Sequence, residues 1–196
     1  MNPLEALFSP ETDMQLYYPV DLVDVSDDED SFDFGTYYII YYRDDLLSVA
    51  TFLKLHSLTR ATSAIDASVV DHIGMELRFN LFYLLQSYNT NTKYVLATWA
   101  SETLPAFSLQ ALYPAFNWAE REIWDMYGLF FVKHPDLRRI LTDYGFVGHP
   151  LRKDFPLTGF KEVQYEDSVK QVEYSNAELA QSYRLLSFGR PWPGHE

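Results

Sequence analysis

Glu122, Asp125, His134 and Asp136 lie close together in the sequence and carry oxygen and nitrogen donors, the residue types that a divalent metal or a hydrolytic site requires. Bases are interleaved with them. Arg121, Arg138 and Arg139 fall in the same run, and Arg152, Lys153 and Asp154 follow shortly after. A guanidinium competes with a metal for the same carboxylates, and it binds them in a planar two-pronged geometry. From Glu120 to Gly159 the acids Glu120, Glu122, Asp125, Asp136, Asp143 and Asp154 stand against the bases Arg121, Lys133, Arg138, Arg139, Arg152 and Lys153, so the charges balance. That balance suits paired, partly buried ion networks. The favoured reading is a structural seam of Glu120, Arg121, Glu122 and Asp125 partnered by Arg138, Arg139, Arg152, Lys153 and Asp154, with His134 and Asp136 at a turn between them. A metal-dependent, hydrolase-type site on Glu122, Asp125, His134 and Asp136 is the alternative, and a free-standing protein-interaction module is a third possibility.

Other chemistries are limited by what the chain lacks. It contains no cysteine, so a thiolate-held iron–sulfur cluster, a Cys-type zinc site, a disulfide and a cysteine nucleophile are all excluded. His56, His72, His134, His149 and His195 form no HxxxH or HxH pair, and no P-loop, GxGxxG or GxSxG is present. The expectation is a chain with no catalytic, cofactor-binding or metal-binding residues of its own.

The elements that must position the seam can be read from local pattern. Asn117, with Glu120 three residues on, has capping-box spacing and predicts a helix from Trp118 to Tyr127 that stops at Gly128. Ala119, Ile123, Met126 and Tyr127 share its apolar stripe, while Trp118, Arg121, Glu122 and Asp125 share a charged one. Asp125 sits in the last turn, where the helix dipole disfavours an anion, and Arg121 is its nearest local partner. His134-Pro135-Asp136 forms a turn, and Leu137 to Leu141 is expected as a short helix carrying Arg138 and Arg139.

Upstream, Thr36 to Tyr42 is aromatic and β-branched and reads as a strand. Asp44 or Asp45 can cap a helix to about His56 whose inner face is Leu46, Val49, Ala50 and Leu53. Thr62 to Val70 has weaker strand character, with Ile65 and Val69 as its buried residues. Met75 to Gln86 and Tyr94 to Trp99, separated by the polar turn Asn89 to Thr92, form a hairpin. A short helix is expected from Ser108, ended by Pro114. The predicted fold class is α+β: a two-layer sandwich of a small mixed or antiparallel sheet with helices on one face, plus an extended C-terminal arm.

At 196 residues and 47% hydrophobic the chain supports one good core, and no apolar run is long enough to span a membrane. The expected division is an acidic N-terminal segment 1–35, an α+β domain 36–159 and an arm 160–196. Met1 to Thr36 carries ten acids and no base, most of the net charge of −13. Such a leader is unlike an Arg-rich transit peptide, and the implied origin is synthesis in the compartment of action or an already mature chain. The Asp27 to Asp30 cluster reads as a solvated loop, and no basic face for nucleic acid is visible. In the arm, KEVQY is strand-like, Asp167-Ser168 a turn, and Ser175 or Asn176 the cap of a short helix to Tyr183. Val163, Tyr165, Val172, Phe188 and Trp192 argue against disorder and for docking on a partner.

Two consecutive stretches, EREIWDMYGLFFVKHPDLRRIL (Glu120 to Leu141) and TDYGFVGHPLRKDFPLTG (Thr142 to Gly159), resemble the signature of the thirty-kilodalton subunit family of respiratory complex I, the proton-pumping NADH:ubiquinone oxidoreductase. The likeness continues more weakly through Glu162 to Asp167, Tyr183-Arg184 and Pro191-Trp192, and its form is that of mitochondrial and proteobacterial members. Phe116 departs from the pattern, since a small residue is expected there. The resemblance implies a non-catalytic core subunit of the hydrophilic arm, packed against the larger quinone-site subunit of the forty-nine-kilodalton type and other peripheral-arm subunits. It implies no cofactor in this chain: NADH, FMN, iron–sulfur clusters and ubiquinone belong to other subunits. The implied location is the matrix side of the mitochondrial inner membrane, or the cytoplasmic face of a bacterial membrane.

Overall fold

Alternation with period two over Phe79–Ser87 and Thr92–Ala100 builds the centre of the fold. In a computed structural model, which describes residues 36–40 and 45–184, these are antiparallel strands β3 and β4, joined by a four-residue loop between the paired Ser87 and Thr92. Phe79, Leu81, Tyr83 and Leu85 of β3 are buried on one face with Tyr94, Leu96 and Ala100 of β4. Strand β2 (Ser63–Asp71) pairs antiparallel with β3, and β1 (Thr36–Ile40) pairs parallel with β4, giving a mixed sheet in the order β1-β4-β3-β2. Residues Tyr41 and Tyr42 of the expected first strand and the acidic segment 1–35 lie outside the described residues.

Helices cover the buried face. Helix α1 (Leu46–Leu55) buries Leu46, Val49, Ala50 and Leu53, the four residues that its apolar spacing picks out. Asp45 is its N-cap residue but makes no side-chain capping bond, and Asp44 lies outside the described residues. Helix α2 (Phe116–Tyr127) adds Phe116 and Ile123 to the same core, where Tyr83 meets Phe116 edge-on at 4.8 Å. The two-layer α+β sandwich is therefore present. A minimal pair, β5 (Ala106–Phe107) and β6 (Phe131–Val132), ties the segment before α2 to the segment after it.

Several local expectations are overturned. Asn117 is not the cap of α2: the helix begins two residues earlier, because Phe116 and Asn117 donate to the carbonyls of Tyr113 and Pro114 and Ala115 takes the cap position. Pro114 thus initiates α2 rather than ending a helix from Ser108, where there is a single turn closed by Tyr113 N–H on Leu109 C=O. Ile65 is exposed although Val69 is buried, because β2 is bulged between Ala64 and Asp66 and the extra residue loses its inward phase. Leu137 to Leu141 forms no helix.

The chain divides into two units between Phe155 and Pro156. In the second, β7 (Lys161–Glu166) and β8 (Gln171–Asn176) form an antiparallel hairpin. The helix expected from Ser175 or Asn176 is absent, since Ser175 and Asn176 complete β8 and residues 177–184 are irregular. Phe188 and Trp192 lie outside the described residues.

Candidate functional site

The signature stretch folds as an irregular chain from Lys133 to Phe155, with no helix or strand to satisfy its backbone. Buried polar backbone must find partners elsewhere. Two acids placed by regular elements, Asp125 and Asp71, supply several of them.

Asp125, in the last turn of α2, is fully buried. One oxygen accepts the backbone N–H groups of Ile140, Leu141 and Thr142 at 3.2, 2.7 and 3.0 Å, and the other accepts the Thr142 hydroxyl at 2.7 Å. Burial pushes the carboxyl up, but these bonds outweigh it and hold the group below the ordinary aspartate value. This explains the missing helix at Leu137 to Leu141, because the N–H groups that would close it are committed to Asp125. Its cation is Arg139, at 3.5 Å, rather than Arg121, whose Nε donates to the Arg138 carbonyl. Arg139 also donates to Gly148 C=O at 2.9 Å and lies over the Phe146 ring.

The C-terminus of α2 is closed by residues 149–152. His149 Nδ1 donates to Asp125 C=O at 2.9 Å, Leu151 N–H to Met126 C=O at 3.1 Å, and Arg152 Nε to Tyr127 C=O. The orphan carbonyls of the helix end are thus taken in succession, and a guanidinium sits at the negative pole of the dipole. Gly128 turns the chain there at φ +74°, as its position predicts. Burial lowers the His149 pKa and favours the neutral ring.

Asp71, at the end of β2 and almost fully buried, receives both prongs of Arg78 at 2.5 and 2.7 Å and the Lys153 N–H at 2.8 Å. The Arg78 bonds hold its carboxyl below the ordinary range, despite burial. Arg78 also grips Asp154 through two bonds of 3.0 and 2.9 Å. Glu102 bonds Arg152 at 2.7 Å and lies 3.6 Å from Arg78. Arg78 and Arg152 both lie over the Phe79 ring. The sheet edge, the loop after β4 and the end of the signature are joined in one network.

A further acid, Glu120, is fully enclosed but bonds residues outside the signature segment. It accepts Tyr83 OH at 3.1 Å, Leu109 N–H at 2.8 Å and Ser108 OH at 2.5 Å. Burial dominates and pushes its pKa up to about 7. A raised folded-state value contributes stability that is full below the unfolded value near 4.5 and is lost as pH rises through about 7. The neighbouring His134 is lowered by burial, so its contribution is full above its ordinary value and is lost as pH falls through the depressed one. Glu120→Gln should therefore flatten the neutral side of the stability profile. Chemical unfolding across a pH series should show the stability difference between native chain and variant changing by on the order of 3 kcal/mol from pH ~4.5 to ~8, against the native chain.

The remaining residues of the seam are dispersed. Glu122 is exposed, and Asp136 and Arg138 form a surface pair at 3.0 Å. Lys153 contributes its backbone N–H to Asp71. Glu122, Asp125 and the His134–Asp136 turn therefore occupy separate surroundings, and among the described residues no group of three or more His, Asp or Glu converges as a metal-binding set. Sequence reading missed Asp71, Arg78, Glu102, Tyr83, Ser108 and His149. Only Arg78, a charge in the alternating run before β3, left a local trace.

In and beside the signature, large apolar side chains are exposed among charged ones. Trp118, Phe130, Leu141, Val147 and Leu151 are exposed, and Tyr144 is 97% exposed. The backbone carrying them is fixed from beneath by Asp125, Asp71 and the helix end. Apolar groups held rigidly in solvent mark an interaction surface.

Known proteins resemble this chain over most of its length. A family described as respiratory-chain NADH dehydrogenase, 30 Kd subunit, matches residues 39–161. NADH dehydrogenase [ubiquinone] iron-sulfur protein 3 of Beta trigyna is 48% identical over 149 residues, 76% of this chain and 78% of that protein. An NADH-quinone oxidoreductase subunit of Rhizobium etli is 48% identical over 153 residues, 78% of this chain and 76% of that protein. Among solved structures, a chain of the membrane-bound sulfane sulfur reductase, an archaeal respiratory membrane complex, shares the fold with a TM-score of 0.59 at 17% identity, covering 79% of this chain and 84% of that one. With a family match over most of its length and relatives near half identity, this chain belongs to the 30 kDa subunit family of respiratory-chain NADH dehydrogenase.

Proposed function

We propose that this chain is a non-catalytic core subunit of the peripheral arm of a proton-pumping NADH:quinone oxidoreductase, where it scaffolds the quinone-reducing module and is needed for its assembly. The observation that carries this reading is the signature segment itself, a rigid backbone presenting Leu141, Tyr144, Val147 and Leu151 to solvent. The partner is the larger quinone-site subunit of the forty-nine-kilodalton type.

The hairpin of the second unit supports docking of the arm. Its register places Val163 opposite Tyr174 and Tyr165 opposite Val172 on one face, with Glu162, Gln164, Glu166, Gln171 and Glu173 on the other. All four apolar residues are more than half exposed. An isolated two-stranded hairpin is marginal in water, and covering this face would stabilise it.

No redox group is assigned to this chain. The plant relative is named an iron–sulfur protein, but this chain has no cysteine and cannot hold a cluster through thiolates. NADH, FMN, the iron–sulfur clusters and ubiquinone are placed in other subunits. No helix among the described residues is long and apolar enough to cross a membrane, which fits a peripheral position on the matrix side of the mitochondrial inner membrane or the cytoplasmic face of a bacterial one.

Native electrophoresis of mildly solubilised membranes tests this, with mass spectrometry locating the chain. Comigration with a very large NADH-oxidising, quinone-reducing assembly is expected; migration as a small free protein would overturn the reading in favour of a free-standing module. Within the assembly, Arg139→Ala and Asp154→Ala should impair incorporation more than they destabilise the isolated fold, because Arg139 is 30% and Asp154 50% exposed at their side chains. Normal assembly with lost turnover in either variant would contradict a structural role.

A further inference from the structure

Glu120 and His134 pose a problem that the scaffold role leaves unused. Both side chains are completely shielded from solvent, and Glu120 Oε2 lies 3.8 Å from His134 Nε2, too far for a hydrogen bond. His134 Nε2 makes no hydrogen bond of normal geometry, although the Asn117 backbone attracts the ring. At the other side of the ring, Nδ1 accepts the Asp136 N–H at 3.2 Å. A nitrogen that accepts carries no proton, so the neutral ring holds its proton on Nε2, the atom that faces Glu120.

The surroundings favour this neutral arrangement. Glu120 meets Tyr83 of β3 and Ser108 and Leu109 after β5, none of them cationic. His134 is faced by the Asn117 backbone and Arg121 of α2 and by Asp136 of its own turn. Burial and Arg121 oppose its charge, Asn117 and Asp136 favour it, and the balance lies with the neutral ring. Protonating Nδ1 would break the bond from Asp136 N–H. The turn is poised as well, since Lys133 takes a left-handed φ of +64°, a strained conformation for a residue with a side chain.

We propose that Glu120 and His134 form a buried proton-controlled latch for the turn 133–136, open while Glu120 is protonated and closed when it ionises. A neutral acid with three partners leaves the imidazole where it is. Once the proton departs to solvent, the enclosed anion attracts the Nε2–H, and the ring crosses the gap of roughly 1 Å needed to make a normal hydrogen bond. His134 keeps its own proton throughout, so a single proton changes hands. The movement draws Nδ1 away from Asp136 and shifts the entrance to the signature segment.

The test is nuclear magnetic resonance on the full chain with ¹⁵N-labelled histidine. The shielded His134 Nε2–H resonance should move downfield in one step centred near pH 7 as its hydrogen bond shortens, and in Glu120→Gln it should stay fixed. Tyr83→Phe, which removes one donor to the carboxylate, should move the step to higher pH. The proposal is overturned if the native resonance does not respond across neutrality, if the step survives in Glu120→Gln, or if Tyr83→Phe leaves its midpoint unchanged.

Discussion

Gly128→Ala is expected to destabilise the chain by about 3 to 5 kcal/mol, combining left-handed strain with displaced packing. Gly128 closes α2 at φ +74°, and a Cβ there would meet Arg152 Nη2 at 2.5 Å and the His149 ring at 2.6 Å. Neither neighbour can move without consequence. His149 bonds the Asp125 carbonyl, and Arg152 bonds both Tyr127 C=O and Glu102. The variant therefore opens the helix end and the network beyond it together. Denaturant unfolding measures the loss; a change below ~1 kcal/mol, the cost of the backbone conformation alone, would show that the closure of α2 by residues 149–152 is loose.

Asp125→Ala should cost a comparable amount, roughly 3 to 5 kcal/mol, for a different reason. It strands the N–H groups of residues 140, 141 and 142 and removes the anion beside Arg139. Asp125→Asn separates the parts, since its amide oxygen can still accept from the backbone while the charge is gone. The asparagine variant should recover part of the loss, and proteolysis should cut between Leu137 and Thr142 faster in the alanine variant than in the native chain. Equal stability of Asp125→Ala and the native protein would remove Asp125 as the organiser of that segment.

What can be read from sequence and what cannot divide along contact range. The α1 core face, the β3–β4 hairpin and the stop at Gly128 depend on period and on a residue's own conformational freedom, and all three are legible. The helix expected at Leu137 to Leu141 fails because Asp125, distant in sequence, takes its amides. The helix expected after Ser175 fails because β7 pairs with those residues first. In the charged seam, types and balance are visible but partners are not. Spacing makes Arg121 the partner of Asp125, while Arg139 arrives from the returning chain. Asp71 and Arg78 cannot be linked to Asp154 by any local pattern, although together they anchor the end of the signature.

The parallel pairing of β1 with β4 sets an order of events for the nascent polypeptide. Thr36 finds its place only against Lys93, and Ile40 only against Ala97. While β3 and β4 can zip through their short loop as soon as both have emerged, β1 must wait through the synthesis of α1, β2 and β3 with its ladder unmade. An aromatic, β-branched strand held open in this way is the kind of segment that chaperones bind and that aggregates when unprotected. Ribosome-bound chains ending before residue 92 should accordingly be protease-sensitive at Thr36–Ile40, and chains extending well past residue 100 should be protected there.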